Sequence, residues 1–278
     1  MYKSIKFTLD PFSGEFSEIL SANLDALGFE GILEEEQVLT AYIPADQFEE
    51  SGLKEVKELL GSLSCKVSWE VKEIAEQNWN RVWEENFEPV IIPGGCVVRA
   101  PFHPEFTEFE RVITIEPKMS FGTGHHQTTR LMMEEMLQMD MKDKQVLDMG
   151  CGTGVLAIVA EKLGAAGILA VDNEPWAYKN TLENINRNSC RKIKVLEGSS
   201  NTIPAQEFDL ILANINRNCL LEQIPDYALH AAEGSYLMLS GILQQDTETI
   251  RERAEQAGYR FVKSETLDNW MLLIFQTN

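Results

Sequence analysis

The sequence predicts an α/β protein in two parts: a doubly wound, mixed sheet of seven strands, preceded by a small α+β unit of ferredoxin-like type. Three observations predict it. From Gln145 onward, apolar strand-like runs alternate with helical patterns, which implies a parallel sheet with right-handed crossovers. The last two strand-like runs follow one another with no helix between them, so they must form a hairpin with one strand antiparallel to the rest. The first 75 residues run strand, helix, strand, strand, helix, strand, with no histidine and no glycine-rich loop.

In that first part, "YKSIKFTLD" reads as a strand and "GEFSEILSANLDALGF" as an amphipathic helix. "GILEEE" and "VLTAYIPA" follow as two strands, "DQFEESGLKEVKELLGSL" as a helix and "CKVSWEVKEIA" as the closing strand. Residues 1–75 are therefore expected to be a recognition domain without reaction chemistry. Residues 76–95 read as a linker helix and hinge: Trp79, Trp83 and Phe87 recur at helical spacing, and Pro89, Pro93, Gly94 and Gly95 break the pattern. The second domain is expected over residues 96–278. Its strands are "QVLDMG", "AGILAVD", "IKVLEG", "FDLILAN", "GSYLMLSGI", "YRFVKSETLD" and "NWMLLIFQTN". The helices between them are "GVLAIVAEKLG", "PWAYKNTLENINRN", "CLLEQIPDYALHAA" and "DTETIRERAEQAG".

Composition narrows the function. No apolar stretch approaches the ~20 residues needed to span a bilayer, and the opening "MYKSIKFTLD" is no export signal, so a cytoplasmic protein without a membrane partner is expected. The five cysteines are scattered and form no C-x-x-C pair, which argues against a disulfide framework and a zinc ribbon. Lys and Arg total 24 against 44 Asp and Glu, a formal net charge of −20. Such a surface repels phosphate backbones, so no direct nucleic-acid partner is expected; it attracts cations and favours a basic protein as partner, although acidity also serves solubility alone.

In a doubly wound sheet, ligands sit beyond the carboxyl ends of the strands, at the first strand-to-helix turn. That turn reads "LDMGCGTGV", with Gly150, Gly152 and Gly154 allowing a ligand close to the backbone. A nicotinamide dinucleotide site would require a further glycine where Val155 stands, and its pyrophosphate would be repelled by Asp148. A cationic ligand without phosphate fits this acid better, and S-adenosylmethionine carries a sulfonium and an ammonium. Asp172 ends the second strand, 172 − 148 = 24 positions later, where an acid accepts hydrogen bonds from both ribose hydroxyls of an adenosyl group. It could equally cap the next helix. Asn214 ends the fourth strand, beside the expected methyl group. It continues as Ile215-Asn216-Arg217, without the two prolines and aromatic that grip adenine or glutamine amides.

With these residues in view, "NWNRVWEENFEPV", "IEPKMSFGTGHHQTT", "LDMGCGTGVLAI", "AVDNEPWAYKNTLENINRN", "ILANIN" and "LSGIL" together resemble the PrmA family, methyltransferases of ribosomal large-subunit protein L11. The resemblance runs from about Asn78 to Leu243. It implies a class I (Rossmann-like) fold, S-adenosyl-L-methionine as cofactor, and N-methylation of lysine side chains and the α-amine of that small basic protein. It also implies cofactor contacts from Thr129, Gly150, Asp172 and Asn214, to which the glycine turn adds Gly152. A methyltransferase of the same fold acting on RNA or on a small-molecule amine is the alternative, and the charge disfavours RNA.

"FGTGHHQTT" then resembles a loop folded over the cofactor, with Thr128 or Thr129 also suited to cap the helix "RLMMEEML". A metal site is not expected, because His103 and His230 are the only other histidines and show no ligand spacing. His125 and Gln127 stand where the family more often has Thr and Pro. The chain end also departs from the family pattern. Asn214 is the expected catalytic residue, its side-chain oxygen orienting the amine, and no general base is assigned.

Overall fold

The computed structural model describes residues 2–35, 37–74, 87–118 and 120–277, and the chain separates into two compact units, Met1–Asn86 and Phe87–Asn278. Trp79 and Trp83 of the expected linker helix lie outside the described residues.

The first unit runs β1 (Tyr2–Asp10), α1 (Gly14–Ala26), β2 (Gly31–Glu35), β3 (Val38–Pro44), α2 (Glu50–Ser62) and β4 (Lys66–Ile74). Its sheet has the order β2-β3-β1-β4, with every neighbouring pair antiparallel. Alternation explains the burial: Ile5, Phe7 and Leu9 of β1 and Leu39, Ala41 and Ile43 of β3 point to one side. That side is covered by Leu20 and Leu24 of α1 and by Leu53, Val56 and Leu60 of α2, spaced three and four residues apart. Phe7 alone, 1% exposed, contributes on the order of 1.5–3 kcal/mol by its burial.

The second unit opens with a small sheet that the sequence pattern did not reveal. β5 (Val90–Ile92) pairs antiparallel with β6 (Cys96–Arg99), which pairs in parallel with β7 (Arg111–Thr114). Pro93, Gly94 and Gly95 therefore form a hairpin turn inside this unit, and the hinge expected over residues 76–95 does not extend through them. Proline and glycine break a pattern alike at a tight turn and at a domain boundary. After β7 come α3 (Gln127–Met136), β8 (Gln145–Met149), α4 (Val155–Lys162), β9 (Gly167–Asp172), α5 (Pro175–Arg187) and β10 (Ile193–Glu197). β11 (Phe208–Asn214), α6 (Arg217–Ala228), β12 (Ala231–Leu243), α7 (Thr247–Gln256), β13 (Tyr259–Leu267) and β14 (Trp270–Thr277) complete the chain.

Seven strands form the large sheet in the order β10-β9-β8-β11-β12-β14-β13, and β14 alone runs against the others. The terminal hairpin and mixed sheet agree with the sequence pattern. Each central strand is apolar on both faces, as a sheet covered on both sides requires. Val146, Ala170, Leu212 and Met238 meet α3, α4 and α5 on one face, while Leu147, Val171, Ile211 and Leu239 meet α6 and α7 on the other. The order reverses between β8 and β11, which opens a crevice at the carboxyl edge.

Candidate active site

Strand register assembles the site. Asp148 pairs with Ala170 on one side and Leu212 on the other, so two residues further on Asp172, Gly150 and Asn214 fall in one row across three adjacent strands. At about 4.8 Å per strand, the two polar ends of that row lie roughly 9–10 Å apart. Both line a cavity of about 400 Å³ at the carboxyl edge, together with Gly150, Gly152, Phe121 and Trp176.

The glycine turn is built for close approach. Gly150 has φ 69°, and a Cβ there would stand 2.2 Å from Ile215 Cγ2. Gly152 has φ 57°, and a Cβ there would lie 2.3 Å from the Phe121 carbonyl oxygen. Left-handed backbone and crowded surroundings both demand glycine. Thr153 fastens the preceding loop to this turn: its N–H donates to the Phe121 carbonyl at 3.0 Å and its hydroxyl to the Gly122 carbonyl at 2.6 Å. The "FGTGHHQTT" segment thus presents Phe121, 49% exposed, to the cavity.

The segment is anchored further upstream by α5. Asn188 Oδ1 accepts from Thr114 N–H at 2.8 Å and its Nδ2 donates to the Thr114 carbonyl at 2.7 Å. One turn earlier, Asn184 Oδ1 accepts from Glu116 N–H at 2.9 Å while its Nδ2 donates to the Thr153 carbonyl at 2.9 Å. Asparagines four apart on one helix face therefore tie the loop approach and the glycine turn to the same support.

Asp172 is buried, and both of its oxygens accept backbone N–H groups. Oδ1 accepts from Glu174 N–H at 3.0 Å, in the manner of a helix-entry turn. Oδ2 accepts from Gly152 N–H at 2.9 Å, which sets the glycine turn, and each oxygen keeps a lone pair for the cavity. Asp148 is different. It is 1% exposed, does not line the cavity, and accepts from Ala157 N–H in the first turn of α4 at 3.1 Å. Gly154 at the helix start has no side chain to cap with, and Asp148 supplies that acceptor from below. Burial, opposed by that hydrogen bond and reinforced by the Asp172 charge, raises its pKa to about 7. The expectation that Asp148 selects the ligand by direct charge is corrected accordingly: it stands two residues short of the row that opens to the cavity, and the first turn of α4 packs over it.

Asn214 lines the cavity, and its Nδ2 donates to Thr129 Oγ1 at 3.3 Å while Oδ1 is buried without a partner. Thr129 itself is 1% exposed and is not part of the cavity wall, and its hydroxyl meets the Asn214 side chain. Neither threonine caps α3: His126 Nδ1 accepts from Thr128 N–H at 3.3 Å and contacts the Thr128 hydroxyl at 2.8 Å. The His126 ring lies between Phe121 and Trp270, and burial lowers its pKa. His125 turns the other way, with Nε2 donating to the Glu88 carbonyl at 2.9 Å and its ring 4.5 Å from that of Phe87.

Sequence reasoning missed several residues of the wall. Trp176 is 45% exposed, with its indole N–H donated to Glu174 Oε2 at 3.0 Å. Gly198 and Ser199, after β10, and Cys219, in α6, also line the cavity. The available signal was positional, since Gly198 follows a strand of the parallel sheet and such strand ends converge on one edge.

A chain with this edge, this glycine turn and this carboxylate has close relatives. The family model described as ribosomal protein L11 methyltransferase (PrmA) matches residues 17–278. The ribosomal protein L11 methyltransferase of Phocaeicola vulgatus is 39% identical over 276 residues, covering 99% of this chain and 98% of its own. That of Porphyromonas gingivalis is 42% identical over 262 residues, covering 93% and 90%. The crystal structure of ribosomal protein L11 methylase from Lactobacillus delbrueckii subsp. bulgaricus superimposes with a TM-score of 0.63 at 28% identity, over 69% of this chain and all of that one. The chain belongs to the ribosomal protein L11 methyltransferase (PrmA) family.

Proposed function

We propose that this protein transfers methyl groups from S-adenosyl-L-methionine to amine nitrogens of ribosomal protein L11. The observation that carries the reading is the row Asp172, Gly150, Asn214, which ends in a buried carboxamide oxygen with no partner. An adenosyl ligand fits this donor set. Asp172 offers a lone pair on each oxygen to the ribose hydroxyls, Gly150 and Gly152 let the ligand approach the backbone, and Asn214 lies at the reacting end. Asp148 tunes the site indirectly, as a buried acid beneath the glycine turn whose ionisation a cationic ligand favours.

When bound, S-adenosylmethionine supplies an electrophilic methyl: the amine lone pair forms the N–C bond while the C–S pair leaves to sulfur. The chain's own residues prepare the nucleophile. A lysine, with a reference pKa of ~10.4, is nearly all ammonium at neutral pH and must shed a proton before attack. Asn214 Oδ1 accepts one N–H of the incoming amine and so fixes the direction of its lone pair. Phe121 and Trp176 at the mouth restrict water, which favours the neutral amine over the ammonium.

The first unit is assigned the holding of L11, since its chemistry is that of packing and surface charge. Residues that hold one substrate in several orientations serve a reaction with several target amines. The test incubates the enzyme with labelled S-adenosylmethionine and either purified L11 or ribosomal RNA. Label on L11 alone supports the reading. Label on RNA, or on neither, defeats it.

A further inference from the structure

Three asparagines recur four residues apart on α5 and its carboxyl-terminal cap, and two of them hold the chain that leads to the cavity. Asn188 grips both the N–H and the carbonyl of Thr114, and Asn184 takes the N–H of Glu116. Asn180, one turn before Asn184, is 1% exposed, yet its Oδ1 and Nδ2 have no hydrogen-bond partner among the described residues. A buried carboxamide with both groups unpaired is costly, and that cost favours any second arrangement that pairs them.

Spacing identifies the partner. Four residues of helix advance about 6 Å, and two residues of extended chain advance about 6.6–6.8 Å. The pairs Asn188–Thr114 and Asn184–Glu116 keep this register, and its next step sets Lys118 opposite Asn180. Alternate residues of an extended chain turn their N–H and carbonyl to the same side, so Lys118 can offer Asn180 what Thr114 offers Asn188. Lys118 already lies beside α5, its Nζ 2.5 Å from Glu183 Oε2, but its N–H turns back onto the Glu116 carbonyl at 3.0 Å.

We propose that Asn180 is a positioning residue that completes this ladder when the cofactor binds: Lys118 N–H leaves Glu116 for Asn180 Oδ1, and Asn180 Nδ2 donates to the Lys118 carbonyl. The new rung joins two parts of the cavity wall, since Trp176 stands one turn before Asn180 on α5 and Phe121 follows shortly after Lys118. A ligand touching both gains most when loop and helix are drawn together, and that difference in affinity is what shifts the population. The inference rests on S-adenosylmethionine occupying this cavity, whichever amine receives the methyl.

A crystal structure with S-adenosylhomocysteine reads the rung directly. Asn180 Oδ1 within hydrogen-bond distance of Lys118 N supports the proposal. Lys118 N–H still on the Glu116 carbonyl, or Asn180 paired only with a buried water, overturns it. Asn180→Leu gives a second reading in solution. The substitution removes two unpaired groups from the free enzyme, so its urea midpoint is no lower than that of wild type, while its Kd for S-adenosylhomocysteine is at least tenfold higher. A residue that merely supported the fold would lose stability and affinity together, and that result, like an unchanged Kd, overturns the proposal. A wild-type enzyme that forms the rung with S-adenosylhomocysteine but leaves L11 unlabelled supports the rung and counts against L11 as the substrate.

Discussion

Asp172 Oδ2 accepts the Gly152 N–H at 2.9 Å, so the carboxylate proposed to hold the ribose also shapes the turn against which the ligand lies. Its other oxygen accepts from Glu174 N–H. A carboxylate that only faced a ligand would be silent in folding. Asp172→Ala instead leaves two backbone donors without their acceptor, and unfolding in urea should show the free protein destabilised by ~1–3 kcal/mol. Calorimetry with S-adenosylhomocysteine should show affinity lost as well. A variant as stable as wild type would remove the structural half of this role, and one with unchanged affinity the binding half.

Gly152→Ala adds a Cβ that would lie 2.3 Å from the Phe121 carbonyl oxygen, at a φ of 57°. The backbone of one of the two segments must move, and residues forced into left-handed geometry cost ~1–2 kcal/mol besides. Since Phe121 lines the cavity, affinity for S-adenosylhomocysteine should fall at least tenfold. A dissociation constant within twofold of wild type would show that the two segments are not tightly coupled.

Asp148 predicts a pH dependence. Its folded pKa of about 7 lies above the ordinary carboxylate value of 3.8. Its contribution to stability is thus full below about pH 4 and is lost as pH rises through 7, by at most ~1.4 kcal/mol per pH unit. Asp148→Asn retains an acceptor for Ala157 N–H and has no charge to bury. Urea unfolding should find the variant's advantage over wild type growing between pH 4 and 7 and constant above. A gap that shrinks over that range would reverse the sign of the argument.

What could be read from the sequence follows from what each signal measures. The seven strands of the large sheet were legible because they are long apolar runs, and Asp172 and Asn214 because each ends such a run. Strand alternation also fixes that Asp148 and Asp172 share a face, yet only packing shows that the first lies under α4 and the second opens to the cavity. β5, β6 and β7 have three or four residues each, too few for a period to emerge. The burial of Thr129 against Asn214 depends on how α3 docks against β11, which no residue spacing displays. His126 as the helix cap was hidden for a similar reason, since Ser, Thr, Asp and Asn are the usual signals.

The net charge of −20 predicts a salt effect on one substrate only. Attraction between exposed charges is screened beyond ~8–10 Å at physiological ionic strength. Raising salt should therefore increase KM for the basic protein L11 several-fold while leaving KM for S-adenosylmethionine nearly constant. Equal shifts in both would argue that charge plays no part in capturing the protein.

The central claim is that the row from Asp172 to Asn214 brings a methyl donor and an amine together, with Asn214 acting on the amine. Single-turnover methylation of L11 by Asn214→Ala, with the enzyme saturated in S-adenosylmethionine, tests it most directly. The account predicts a rate constant at least tenfold below wild type, with the Kd for S-adenosylhomocysteine changed far less. A rate constant equal to that of wild type would contradict it.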